Sequence, residues 1–110
     1  MELQQEHACI GQGTRATVLF HEPTYDSAMI RLDPGAELSE TNSTNLDMLY
    51  FVCESEDNQV EFDLATAESC YRVSRGGEVR VPAGATYSLR NRSTEEKARL
   101  LAVVPRLPAA

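Results

Sequence analysis

The sequence predicts an all-β domain, folded as a sandwich or a jelly-roll barrel. Three observations carry this. Short runs alternate apolar and polar residues along the whole chain, and glycine or proline stands at the bends between them. No segment is long and periodic enough to be a stable helix.

The elements follow in order. Residues 1–15 carry little periodicity and end near Gly11-Gln12-Gly13, so they read as an arm, flexible, edge-packed or exchanged as a strand. Residues 16–107 form the domain proper. Ala16–Phe20 is a short strand. Ser27–Leu32 is another, stopped by Asp33-Pro34-Gly35, where the proline removes a backbone donor and the glycine can take a positive φ. Residues 38–45 are polar and read as a turn-rich loop. Leu46 to Cys53 is a strongly apolar strand.

Further on, Gln59–Leu64 alternates with Val60, Phe62 and Leu64 on one face, the pattern of a half-buried antiparallel strand. Ser69–Val73 alternates again, and Gly76-Gly77 turns the chain. Glu78–Val81 places both valines inward and ends at Pro82. In Tyr87–Asn91, Tyr87 and Leu89 share a face. Thr94–Lys97 behind Ser93 is too short to stand as a helix and reads as a turn. Ala98 to Val104 closes the domain, with Pro105 and Pro108 beyond it. The total is eight or nine strands with no evident internal repeat.

Composition narrows the function. A chain of 110 residues makes one domain and buries roughly 60–70% of its unfolded surface, enough for a core without metal or disulfides. The start is polar and acidic, unlike a signal peptide, and no apolar stretch is long enough to cross a bilayer, so an intracellular site and no membrane partner are expected. Cys9, Cys53 and Cys70 contain no close pair; Cys53 reads as a small buried residue and Cys70 as partly exposed. The net charge of −7, from 17 acidic and 10 basic side chains, disfavours direct DNA binding. Acid concentrates at Glu54, Glu56, Asp57, Glu61 and Asp63 and could meet a basic partner.

The chemistry of a site is missing where it would be sought. His7 and His21 are the two imidazoles, and neither has a second histidine near it in sequence. No serine has a nucleophile-elbow context, and no glycine loop cradles a phosphate.

One stretch is specific. Gly76 and Gly77, then Pro82, Gly84, Tyr87 and Asn91 stand at the spacing of the second conserved motif of the cupin barrel, with Tyr87 where metal-binding members carry histidine. Counting the first cupin motif from Gly35 puts its two histidine positions on Thr41 and Ser43, with Asp47 as the nearest later acid. The resemblance thus implies a cupin-type jelly roll that lacks the imidazole and carboxylate ligands a transition ion needs, with no cofactor and no catalysis.

Within the cupins, the chain resembles the C-terminal domain of centromere protein C, known as Mif2 in budding yeast. The matching pieces are Met29–Leu32 with Pro34-Gly35, then Asn42-Ser43-Thr44, Leu49–Val52, and Gly76 to Asn91, and Tyr87 itself belongs to the pattern. The resemblance implies a homodimerising, docking domain of an inner-kinetochore scaffold in the nucleus, whose partner is a centromere assembly or meiotic kinetochore protein. Departures occur at Glu37 and Glu40, where the family is basic, and in the 54–70 hairpin, which lacks a compact glycine turn.

Two strands are apolar on both faces. The residues expected to make the dimer interface or the core are Met48, Tyr50, Val52, Leu100, Ala102 and Val104. An alternative function is a metal-free small-molecule sensor, its pocket lined by Tyr50, Arg72 and Tyr87.

Overall fold

The computed structural model describes residues 3–11, 13–64 and 69–105. Ten strands run β1 (Leu3–Gly11), β2 (Thr14–His21), β3 (Tyr25–Leu32), β4 (Glu37–Thr41), β5 (Met48–Glu54), β6 (Val60–Leu64), β7 (Ser69–Val73), β8 (Glu78–Val81), β9 (Thr86–Asn91) and β10 (Ala98–Pro105). They make two antiparallel sheets, one ordered β1-β2-β3-β10-β5-β8 and the other β4-β9-β6-β7. The sheets pack face to face as a jelly roll. No helix occurs among the described residues, and residues 94–97 form the expected turn.

Burial follows the alternation of each strand. Val60, Phe62 and Leu64 point inward from β6, Val79 and Val81 from β8, and Tyr87 and Leu89 from β9. Across the larger sheet, Ile30, Leu100 and Val52 stand in one register row and meet them from the other side. Burying a side chain of this size contributes about 1.5–3 kcal/mol, so these rows carry most of the domain's stability.

The structure differs from the sequence reading at several points. Leu3–Gly11 runs antiparallel to β2 as an edge strand, in keeping with an edge-packed arm, but β2 begins at Thr14, two residues ahead of the expected Ala16. Residues 37–41, read as part of a loop, form β4, paired with β9 from Glu37↔Arg90 to Thr41↔Thr86. Only Leu38 of that strand is buried, so its composition is polar although its backbone is fully laddered. Cys53 is half-buried, not buried, because it is the extra residue of a bulge between Arg99↔Glu54 and Leu100↔Val52. Cys70 is exposed and both thiols are free.

An internal repeat is present after all. The motif Gly-Ala-x-x-Ser-x-x-Asn occurs at 35–42 and again at 84–91. Each copy opens on a turn, Asp33–Ala36 and Pro82–Ala85, and each turn packs against the asparagine of the other copy. Gly35 N–H donates to the Asn91 carbonyl and Asn91 N–H to that of Ala36; Gly84 N–H donates to the Asn42 carbonyl and Asn42 N–H to that of Ala85. The β4–β9 pair lies between these two clamps. Gly35 and Gly84 hold φ of 76° and 78°, a region that L side chains rarely adopt.

Candidate functional site

Two places in this architecture can carry function: the interior of the barrel and the outer face of the larger sheet. The interior is built by β5, β6 and β9. Tyr50 and Tyr87 point in from opposite sheets and their hydroxyls share a hydrogen bond of 2.6 Å. Their rings are tilted, 5.7 Å apart, and Phe62 packs on Tyr50 at 5.3 Å. All three side chains are buried, so aromatic rings fill the space between the sheets. Burial pushes the Tyr50 hydroxyl well above the ordinary tyrosine range, with Tyr87 and the Glu40 carboxylate adding to the effect. Burial also raises Tyr87; the hydrogen bond from Tyr50 opposes this and Glu40 reinforces it. Both are neutral phenols at physiological pH.

The metal-ligand positions of the cupin pattern do not converge. Tyr87 is committed to Tyr50. Thr41 is exposed and bonds the Thr86 hydroxyl, Ser43 is exposed, and Asp47 accepts from Ala83 N–H on the turn before β9. Among the described residues no group of three His, Cys, Asp or Glu side chains could hold an ion. The donor set is two exposed hydroxyls, a buried phenol and a distant carboxylate, which does not fit a cupin metal.

The pocket expected from Tyr50, Arg72 and Tyr87 is not assembled either. Arg72 lies exposed on β7 beside Glu61, at 3.7 Å, while the two tyrosines are interior. His21 is exposed at the end of β2, hydrogen-bonded to Asp26; His7 has no described side chain.

The asparagines are the polar framework. Asn91 Nδ2 donates to the carbonyls of Leu32, Asp33 and Glu96, and its Oδ1 accepts from Ser93 N–H. Asn42 does the equivalent for Leu46, Val81 and Pro82, and accepts from Thr44. Asn91 was legible in the motif. The matching role of Asn42 was not, although the repeated octapeptide signals it. Gly76 and Gly77 divide the work of the turn before β8: Gly76 holds φ 88°, whereas a Cβ on Gly77 would meet Val73 Cγ1 at 2.3 Å. Pro34 and Pro82 sit exposed in the turns that the clamps hold.

On the larger sheet the six residues expected at the dimer interface or in the core fall on the core side. Met48, Tyr50, Val52, Leu100 and Ala102 are at most 9% exposed in the single chain, and Val104 packs partly against the same core. A side chain already buried inside its own barrel has no area left to offer a partner. The opposite parity faces out. Met29, Leu101 and Phe51 stand in one cross-strand row, and Val103 and Leu49 in the next, all half-buried. They form a contiguous apolar surface over β3, β10 and β5.

The acidic hairpin is largely occupied within the chain. Glu54 takes an N–H from Arg99, Glu56 accepts from the Ser93 hydroxyl, Asp57 from Ser74, and Glu61 lies beside Arg72 and Arg92. Arg90 likewise bonds Glu37, which holds the Arg90 guanidinium above its ordinary range.

A two-sheet jelly roll with the Gly76–Asn91 corner defines a cupin, and solved structures agree. A cupin of the RmlC-like type from Shewanella frigidimarina superposes with a TM-score of 0.74 at 19% identity, over 96% of this chain and 86% of that one. KdgF from a Halomonas species gives 0.75 at 14%, over 99% and 96%. The Cnp3 cupin domain of Schizosaccharomyces pombe gives 0.71 at 22%, over 90% of this chain and 65% of that one. No curated protein sequence matches. The family model for Mif2/CENP-C-like proteins matches residues 14–103, and the chain belongs to that family. It is a centromere-protein cupin domain.

Proposed function

We propose that this domain is the non-catalytic homodimerisation and docking unit of an inner-kinetochore scaffold protein, working at the centromere in the nucleus. The carrying observation is the outward apolar face of the larger sheet: Met29, Leu49, Phe51, Leu101 and Val103 lie on neighbouring central strands. A contiguous apolar sheet face of this kind is what a self-associating surface presents, and a two-fold pairing is the commonest use of one. Joining two copies of a long protein raises the effective concentration of every weak binding segment it carries, so the function needs no chemistry. The barrel interior supports this reading over the small-molecule sensor, since Tyr50, Phe62 and Tyr87 fill it.

The test is the solution mass of the domain by light scattering through a dilution series, beside Leu101→Glu. The wild type is expected to persist as a dimer to low micromolar concentration. The variant places one charge at the middle of the face and is expected to be monomeric while keeping its β-sheet circular dichroism. A wild type that is monomeric at every concentration defeats the proposal.

A further inference from the structure

Beside its apolar face the larger sheet carries a row of arginines. Arg15 on β2 pairs with Arg31 on β3, and Arg31 with Arg99 on β10, so three guanidiniums stand in register on three adjacent strands. They have the outward parity of Met29 and Leu101. Glu54 on β5 ends the row and accepts from Arg99 Nη2 at 2.5 Å. Among the described residues that is one carboxylate for three guanidiniums. Arg15 and Arg31 are exposed, and their side chains make no salt bridge among the described residues. Arg99 Nε is buried with no hydrogen-bond partner.

This arrangement conflicts with the stability of the sheet. Like charges directly opposite on neighbouring strands destabilise the pairing, and a buried N–H without an acceptor adds a desolvation cost. The chain has a net charge of −7, so carboxylates for these positions are not scarce. Glu56, Asp57 and Glu61 of the neighbouring hairpin pair with other groups instead. Conflicts of this sort, left without compensation among the described residues, mark positions used for binding.

We propose that Arg15, Arg31 and Arg99 form a docking site for an acidic, extended segment of a partner protein. Adjacent strands lie about 4.8 Å apart, so the row spans roughly 10 Å. Carboxylates two or three residues apart on an extended peptide reach over the same distance. Guanidinium forks donate to such groups in bidentate pairs. The row lies beside the Met29–Leu101–Phe51 row, toward the Ala98 end of β10. This inference rests on the docking reading above and gives the partner an acidic character in place of the basic one first expected.

The experiment measures fluorescence anisotropy of a labelled peptide of alternating Glu and Ser against the domain, beside its Lys-Ser counterpart. The Glu-Ser peptide is expected to bind saturably and more weakly at high salt, and the Lys-Ser peptide at least about tenfold more weakly. Arg15→Gln with Arg31→Gln is expected to lower the affinity about tenfold or more, with a melting temperature unchanged or raised because like-charge repulsion is relieved. Unchanged affinity in that double variant overturns the proposal, as does tighter binding of a short DNA duplex than of the acidic peptide. Light scattering on the same samples separates the two readings. A monomer that binds the peptide keeps this site and defeats dimerisation; a dimer that does not bind it does the reverse.

Discussion

The hydroxyl pair at the centre of the barrel sets up a sharp test. In Tyr87→Phe the ring stays, but Tyr50 Oη, on a side chain only 3% exposed and 2.6 Å from its partner, loses its hydrogen bond. Leaving a buried hydroxyl unpaired costs about 1–3 kcal/mol. In a domain of this size each kcal/mol shifts the melting temperature by about 4–8 °C, so a fall of roughly 4–24 °C follows. Tyr50→Phe leaves the Tyr87 hydroxyl stranded in the same way and costs a similar amount. The double variant strands neither, and an all-apolar pair of the same shape is close to neutral. Chemical denaturation of the four proteins closes a double-mutant cycle, with an expected coupling of about 2–6 kcal/mol, the sum of the two single costs. Additive single effects, with the double variant the least stable of the four, would refute the argument that the pair exists to satisfy itself and not an outside ligand.

Other outcomes follow from the same structure. Both tyrosines have folded-state values raised by burial, so their contribution to stability is complete below the unfolded tyrosine value near 10 and is lost as pH rises above it. The slope is about 1.4 kcal/mol per pH unit for each tyrosine, and absorbance at tyrosinate wavelengths should show these two ionising together with unfolding; free titration of both in a folded protein would contradict their burial. Asn42→Ala and Asn91→Ala each strand several turn carbonyls, at a cost of about 2–4 kcal/mol apiece. Denaturant midpoints should fall comparably in the two, and a loss confined to Asn91 would break the equivalence of the clamps.

Several features were legible before any coordinates. The inward triplet Val60, Phe62, Leu64 announces itself because a strand alternates with period two and one polar face is enough to orient it. The corner at Pro82–Asn91 is legible because only a few residue types can hold a positive φ or clamp a turn. Loss of the cupin ligands needs only the absence of histidine at Thr41, Ser43 and Tyr87. The β4 strand was hidden because an exposed strand need not be apolar. Its ladder to β9 is made of backbone groups, which composition does not report.

The sequence by itself determined the class of fold, the turns and the family, since these depend on local conformation and on spacing along the chain. Tertiary structure alone decided which face of β5 and β10 is core. Both faces of Met48–Glu54 and Ala98–Pro105 are apolar, so periodicity gives no orientation. Pairing with the second sheet turns Tyr50 and Leu100 inward and leaves Phe51 and Leu101 outside. The arginine row has the same origin. Residues 15, 31 and 99 are unrelated along the chain, and only the register of three strands makes them neighbours.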